Sequence, residues 1–165
     1  MQYITVPNGM IAHLAGPYRA PQNDTGVLAD SHLLELMREH AIQPGSAEGD
    51  PPERQHFQLY GDSAYGVSAV LVSPHARVGA LTVAEHAWNT GIGEVCISIE
   101  HAFGIVLCEW PFLRSSWKHQ VFGMACGLWY RVAVLLANAH NCFVPNQTAQ
   151  CYSCMPPSIH EYFHN

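Results

Sequence analysis

Charge is what this chain has least of. Only 12% of its 165 residues are Asp, Glu, Lys or Arg, and seven basic residues stand against thirteen acidic ones, a net charge of −6 with histidine neutral. Non-specific DNA binding rests mainly on Lys and Arg neutralising phosphates, so the chain is expected to hold DNA only weakly by itself. It also lacks any uninterrupted apolar run approaching the roughly 18 residues that span a bilayer, and no membrane partner is expected. The start, MQYITVPNGM, has no basic region ahead of an apolar core, so no signal peptide is expected. The six cysteines, at 96, 108, 126, 142, 151 and 154, are then expected to be reduced thiols in an intracellular protein. No internal repeat, low-complexity tract, helix-turn-helix or zinc-finger module is visible.

What is present is a globular composition, 48% hydrophobic, in a length suited to one domain over 1–165. Two short strands flank Pro7-Asn8-Gly9, a hairpin signal, with the second running from Met10 to Ala15. LADSHLLELMREHAI has a helical apolar period and a candidate cap in Asp30 or Ser31. Residues 43–55 are rich in Pro, Gly and acids and read as an exposed loop. HFQLYGD and VSAVLVSP read as strands, the former with the look of a buried one. From Leu81 to Phe112 the pattern is helical, and Gly91, Gly93 and Gly104 divide it into two expected pieces. A further apolar helix covers HQVFGMACGLWYRVAVLLANAHNCF, and 145–165 reads as an irregular tail. The order is that of a mixed α/β domain.

Two carboxylates stand out. Asp62 ends the run FQLYGD, and Glu100 sits in CISIEHAFG beside Ile97, Ile99, Ala102 and Phe103. Gly-Asp is common turn chemistry, and a helix Glu can be satisfied by a neighbouring Arg or His. Read functionally, the pair suits a hard divalent cation, since a carboxylate beside apolar side chains is costly unless paired or bound to metal. His140, Cys142, Cys151 and Cys154 have the ligand types of a tetrahedral zinc site, but not a recognised finger spacing, and free thiols are the favoured reading. Trp110, Phe112, Trp117, Trp129 and Tyr130 read as core in preference to a base-stacking platform. Between His101 and His140 one acid, Glu109, stands against Arg114, Lys118 and Arg131, which read as a solvated basic face or phosphate contacts.

The stretches ITVPNGMIAHLAGPYRAPQNDTGVLADSHL, YGDSAYGVSAVLVSP, IEHAFGIVLCEWPFL, YRVAVLLANAHNCFVPNQ and PPSIHEYFH run through nearly the whole chain. In this order they resemble the catalytic domain of Harbinger-type DDE transposases, a group of DDE superfamily endonucleases, in the form abundant in fungal genomes. The Gly-Asp-x-x-Tyr and Glu-x-x-Phe-Gly blocks carry most of the likeness. The resemblance implies an RNase H-like α/β fold, a mixed sheet with flanking helices. It also implies a three-carboxylate site for Mg²⁺ or Mn²⁺, DNA as substrate, a separate DNA-binding partner for target choice, and a nuclear location. Asp62 matches the family's second catalytic aspartate and Glu100 its glutamate.

Two departures follow. The family's first strand, with its aspartate, lies upstream of the region matched by Met1–Gly16, so the domain is expected to be partial and catalytically incomplete. Cys96 stands where the family commonly has a basic residue. Asp24, in PQNDTG, matches a frequent acidic position and is a candidate third ligand, although a loop or helix-approach role is the commoner fate of such a residue. Two functions are therefore expected to compete. One is a metal-dependent endonuclease or transposase domain. The other is a non-catalytic domesticated interaction protein on the same fold, offering an open sheet edge to a partner strand.

Overall fold

The Pro7-Asn8-Gly9 turn fixes the first element. Gly9 adopts the left-handed φ of +76°, its N–H donates to Val6 O at 2.8 Å, and Val6 N–H donates to Met10 O at 3.0 Å. The flanking segments pair antiparallel as β1 (Gln2–Thr5) and β2 (Ile11–Ala15), with Tyr3 opposite Leu14 and Ile4 opposite His13. A computed structural model of the chain describes residues 1–18, 22–76, 79–114 and 125–164. They form two compact units, Met1–Arg19 with Ile97–Asn165, and Ala20–Cys96.

In the first unit the hairpin lies on helix α5 (Cys126–Phe143). Ala133, Val134 and Ala137 repeat at helical spacing and face Tyr3, Ile11 and Val106 in one core. The Tyr3 ring stacks on Phe103 with centroids 4.1 Å apart. Asparagines then fasten the hairpin backbone to the helix. Asn138 is buried, accepts from Ile11 N–H at 2.9 Å and donates to Ile11 O at 3.0 Å. Asn141 donates to Asn8 O at 3.0 Å, and Asn146 donates to Gly9 O at 2.8 Å.

Residues 145–165, expected to be irregular, contain two short helices, α6 (Gln147–Cys151) and α7 (Ile159–His164). Local caps make them. The Asn146 side chain accepts from Ala149 N–H at 3.1 Å. Ser158 and Glu161 exchange backbone-to-side-chain bonds at 2.8 and 3.3 Å, a reciprocal box that satisfies two orphan donors.

Helix α4 (Val83–Glu109) corrects the expectation of two helical pieces: it is continuous over 27 residues. A Thr82–Glu85 capping box starts it, with bonds of 2.7 and 3.3 Å, and Pro111 follows its end. Each glycine costs about 1 kcal/mol relative to alanine, too little to break a helix of this length. By length and composition α4 is also the one described helix able to cross a membrane, a test that core helices pass as readily.

The second unit, Ala20–Cys96, holds α1 (Asp24–Asp30), α2 (Leu33–His40), the four-residue α3 (Pro52–Gln55), and strands β3 (Leu59–Tyr60) and β4 (Leu71–Val72). The single helix expected over LADSHLLELMREHAI is two. Ser31 Oγ turns back to Leu28 O at 2.9 Å, and His32 takes a left-handed φ of 51°, so the chain is re-aimed between them. At the expected start, Ser31 Oγ accepts from the N–H of Leu33, the first residue of α2, at 3.4 Å, while Asn23 caps α1, accepting from Gly26 N–H at 2.9 Å. The 43–55 segment is clasped by Gln43, which donates to Glu53 O and His56 O at 3.0 and 2.9 Å, and it carries α3 at its end.

One mixed sheet was expected. The described residues show two separate two-stranded sheets instead, β1 with β2 antiparallel and β3 with β4 parallel. The β3 strand is also not buried as its apolar run suggested, for Phe57 and Tyr60 are both about half exposed. Aromatic content marks a pleat-compatible sequence without fixing which face is covered. The chain is nonetheless of mixed α/β type, as the order of elements indicated.

Candidate active site at the Asp62 turn

Gly61 follows β3 directly, and its N–H donates to Val72 O at 2.9 Å. A Cβ at Gly61 would lie 3.1 Å from Tyr65 Cδ2 and 3.2 Å from Leu71 Cδ1, so the lack of a side chain lets the Tyr65 ring fold down on the strand end. Asp62 then caps a short 3-10 turn, Ser63–Tyr65. Its Oδ1 accepts from Ser63 N–H at 2.6 Å and from Ser63 Oγ at 3.2 Å, and Tyr65 N–H returns to Asp62 O at 3.0 Å. Asp62 is exposed, and among the described residues its Oδ2 accepts no hydrogen bond. Turn and ligand readings are therefore compatible: one oxygen builds the turn and the other is open.

Helix α1 brings a second carboxylate to the same turn. Thr25 Oγ1 donates to Ala64 O at 3.3 Å, fixing the start of α1 against the residue before Tyr65. Asp24, the first residue of α1, is exposed and has no hydrogen-bond or ion-pair partner among the described residues. Burial raises the Tyr65 phenol above its ordinary pKa, and the negative charges of Asp24 and then Asp62 raise it further. Asp24 and Asp62 thus converge electrostatically on one hydroxyl.

Glu100 belongs to the other unit, on an exposed position of α4, and likewise has no hydrogen-bond or ion-pair partner among the described residues. Its exposure removes the desolvation cost that its apolar neighbours suggested. At the Asp62 turn the donor chemistry is that of a hard cation: Asp24 and Asp62 Oδ2 are carboxylate oxygens not spent on other bonds among the described residues, and Mg²⁺ takes one or two protein carboxylates with water filling the rest. Within the described residues, no three His, Cys, Asp or Glu side chains gather closely enough to hold a metal ion.

That observation also corrects the zinc alternative. His140 is turned to Glu109, with Nδ1 2.6 Å from Oε1, and does not join Cys142, Cys151 and Cys154. Cys151 and Cys154 are exposed thiols, and burial raises the pKa of Cys142, which disfavours its thiolate. Trp110, Trp129 and Tyr130 pack against the core of the first unit, and Phe112 meets Trp129 edge to face at 5.8 Å. Arg114 donates to Cys108 Sγ at 3.0 Å and Arg131 to Gly16 O at 3.4 Å. Trp117 and Lys118 lie outside the described residues.

Tyr65 and Thr25 escaped the sequence reading as participants. The signal for Tyr65 was present in the Gly-Asp-x-x-Tyr block, three residues after the aspartate, where a one-turn helix returns the side chain to its own cap.

A mixed α/β chain with open carboxylates at a strand-end turn is the kind of scaffold on which nucleases are built. A family model for DDE superfamily endonucleases matches residues 1–138. The chain belongs to that family, whose members generally use divalent metals and whose substrate is DNA. No curated protein and no solved structure matches it.

Proposed function

We propose that this chain is a Harbinger-type, metal-dependent DDE endonuclease or transposase domain of the fungal-like form, built on an RNase H-like plan and acting in the nucleus on DNA phosphodiesters. The observation that carries the reading is that the matched segment, residues 1–138, includes both Asp62 and Glu100, whose carboxylates are solvent-facing and available. In this reading Asp62 and Glu100 hold Mg²⁺ or Mn²⁺, with Asp24 as an accessory ligand. The cation, when bound, neutralises phosphate charge and lowers the pKa of a coordinated water. The chain's own residues orient the site: Ser63 holds Asp62 Oδ1 so that Oδ2 points to solvent, and Thr25 holds Asp24 close by.

Two carboxylates are one short of the three-carboxylate site that the resemblance implies. We infer that these 165 residues alone are catalytically incomplete. With few Lys and Arg, they depend on a separate DNA-binding partner for target choice. Calorimetric titration with Mn²⁺ tests the reading. Saturable binding that Asp62→Asn and Glu100→Gln each abolish supports it, and a nicking assay follows. No binding by a folded chain refutes it.

A second reading, a non-catalytic interaction protein, is favoured by one observation. Along α5, Leu128 (60% exposed), Val132, Leu135, Leu136 and Phe143 (68%) leave an apolar row in solvent. Partner binding that survives both carboxylate substitutions would select it.

A further inference from the structure

Three hydroxyls meet at the Asp62 turn, and two are spent. Ser63 Oγ donates to Asp62 Oδ1 at 3.2 Å, and Thr25 Oγ1 donates to Ala64 O at 3.3 Å. The third, Tyr65 OH, makes no hydrogen bond among the described residues, although its ring is seated against Gly61 and its backbone N–H is anchored on Asp62 O. A partly buried phenol with a fixed ring and an unused hydroxyl is a preorganised donor.

Its surroundings decide what it can donate to. A phosphodiester approaching Asp62 meets two carboxylates, and like charge repels it wherever a cation does not intervene. A neutral hydroxyl is attractive to a phosphate oxygen whether or not the cation is present. A phenol is protonated across the neutral range, so the hydroxyl is available as a donor. The rigid seat on Gly61 means that little side-chain entropy is lost when the hydroxyl takes an acceptor.

We propose that Tyr65 is a substrate-contacting residue whose hydroxyl donates to a non-bridging oxygen of the DNA phosphate engaged at the Asp62 turn. The inference rests on the endonuclease reading above and adds to it the residue that grips the phosphate without binding the metal. Tyr65→Phe removes the donor and keeps the ring on Gly61.

The test uses the full chain, MnCl₂ and a short fluorescent DNA duplex. Mn²⁺ affinity is read by calorimetry without DNA, and duplex affinity by anisotropy at saturating Mn²⁺. The expected result is Mn²⁺ affinity unchanged in Tyr65→Phe and duplex affinity lowered roughly tenfold, the cost of one hydrogen bond to a charged acceptor. A duplex with uncharged methylphosphonates around the contacted position should weaken the parent and erase its advantage over Tyr65→Phe. That coupling is not expected of a residue that only supports the fold.

Equal duplex affinity in parent and Tyr65→Phe overturns the proposal while leaving the endonuclease reading intact. So does a loss of duplex affinity matched by a loss of Mn²⁺ affinity, which would make Tyr65 a support of the carboxylates. If the parent shows no Mn²⁺-dependent duplex binding, and Asp62→Asn equals it, both readings fall together.

Discussion

Asn138 holds the backbone of Ile11 from both sides, accepting its N–H at 2.9 Å and donating to its C=O at 3.0 Å, while itself buried. The helix thereby supplies the hydrogen bonds that a third strand would otherwise make. Asn138→Ala leaves two buried backbone groups unpaired and should cost roughly 2–4 kcal/mol. The measurement is the urea midpoint at constant m-value. A change below about 0.5 kcal/mol, within the range of surface substitutions, would mean that the clamp adds nothing to stability.

Glycines should divide by position. A Cβ at Gly93 meets nothing within 4 Å, so Gly93→Ala in α4 should stabilise by about 0.5–1 kcal/mol. Gly9 has the left-handed φ of +76° and a Cβ there would run into the Asn146 carboxamide, so Gly9→Ala should destabilise. Thermal melts of the two variants should move in opposite directions.

Asp62 separates fold from site. Asparagine keeps an oxygen for Ser63 N–H, so Asp62→Asn should melt close to the parent and lose Mn²⁺ binding. Asp62→Ala loses the cap as well and should cost a further ~1 kcal/mol. Differential scanning calorimetry with and without Mn²⁺ distinguishes them, and an Asp62→Asn chain that still binds Mn²⁺ normally would remove Asp62 from the site.

His13 gives the hairpin a pH dependence. Burial lowers its pKa from the ordinary value of 6.5, and its Nε2 is buried with no hydrogen-bond partner among the described residues. Below pH 6.5 the unfolded chain takes up a proton that the folded chain resists, so stability falls as pH falls from 6.5 toward the lowered value. Above 6.5 the residue is neutral in both states and contributes no slope. Comparing the urea midpoint at neutral and mildly acidic pH in parent and His13→Gln checks this, since the variant should lose that part of the slope.

The hairpin was legible because Pro7-Asn8-Gly9 is a local instruction that needs no tertiary contact to be read. The continuity of α4 was not, because three glycine penalties of about 1 kcal/mol each weaken a 27-residue helix without breaking it, and the packing of residues such as Ala102 and Val106 into the core is not a local pattern. The break at His32 was missed for a different reason: Ser31 reads as a start, and its Oγ does accept from Leu33 N–H at the start of α2, but it also donates back to Leu28 O and closes a helix before it. The two-stranded sheets were beyond sequence patterning, since an apolar run does not name its partner strand. At the candidate site, Gly-Asp announced the turn and the family likeness pointed to its carboxylate. The convergence of Asp24 on Tyr65 depends on α1 folding back to the turn, a contact 39 residues apart that no local pattern carries.

An exposed strand end is usually an invitation, because its unpaired amides and carbonyls can recruit the strand of another molecule. At Ile11 both groups already have a side-chain partner from Asn138. A newcomer would first have to evict a buried carboxamide and leave it without bonds. The hairpin is thus sealed at that point against strand exchange with copies of itself, and any protein that pairs with this chain edge to edge has to find another border.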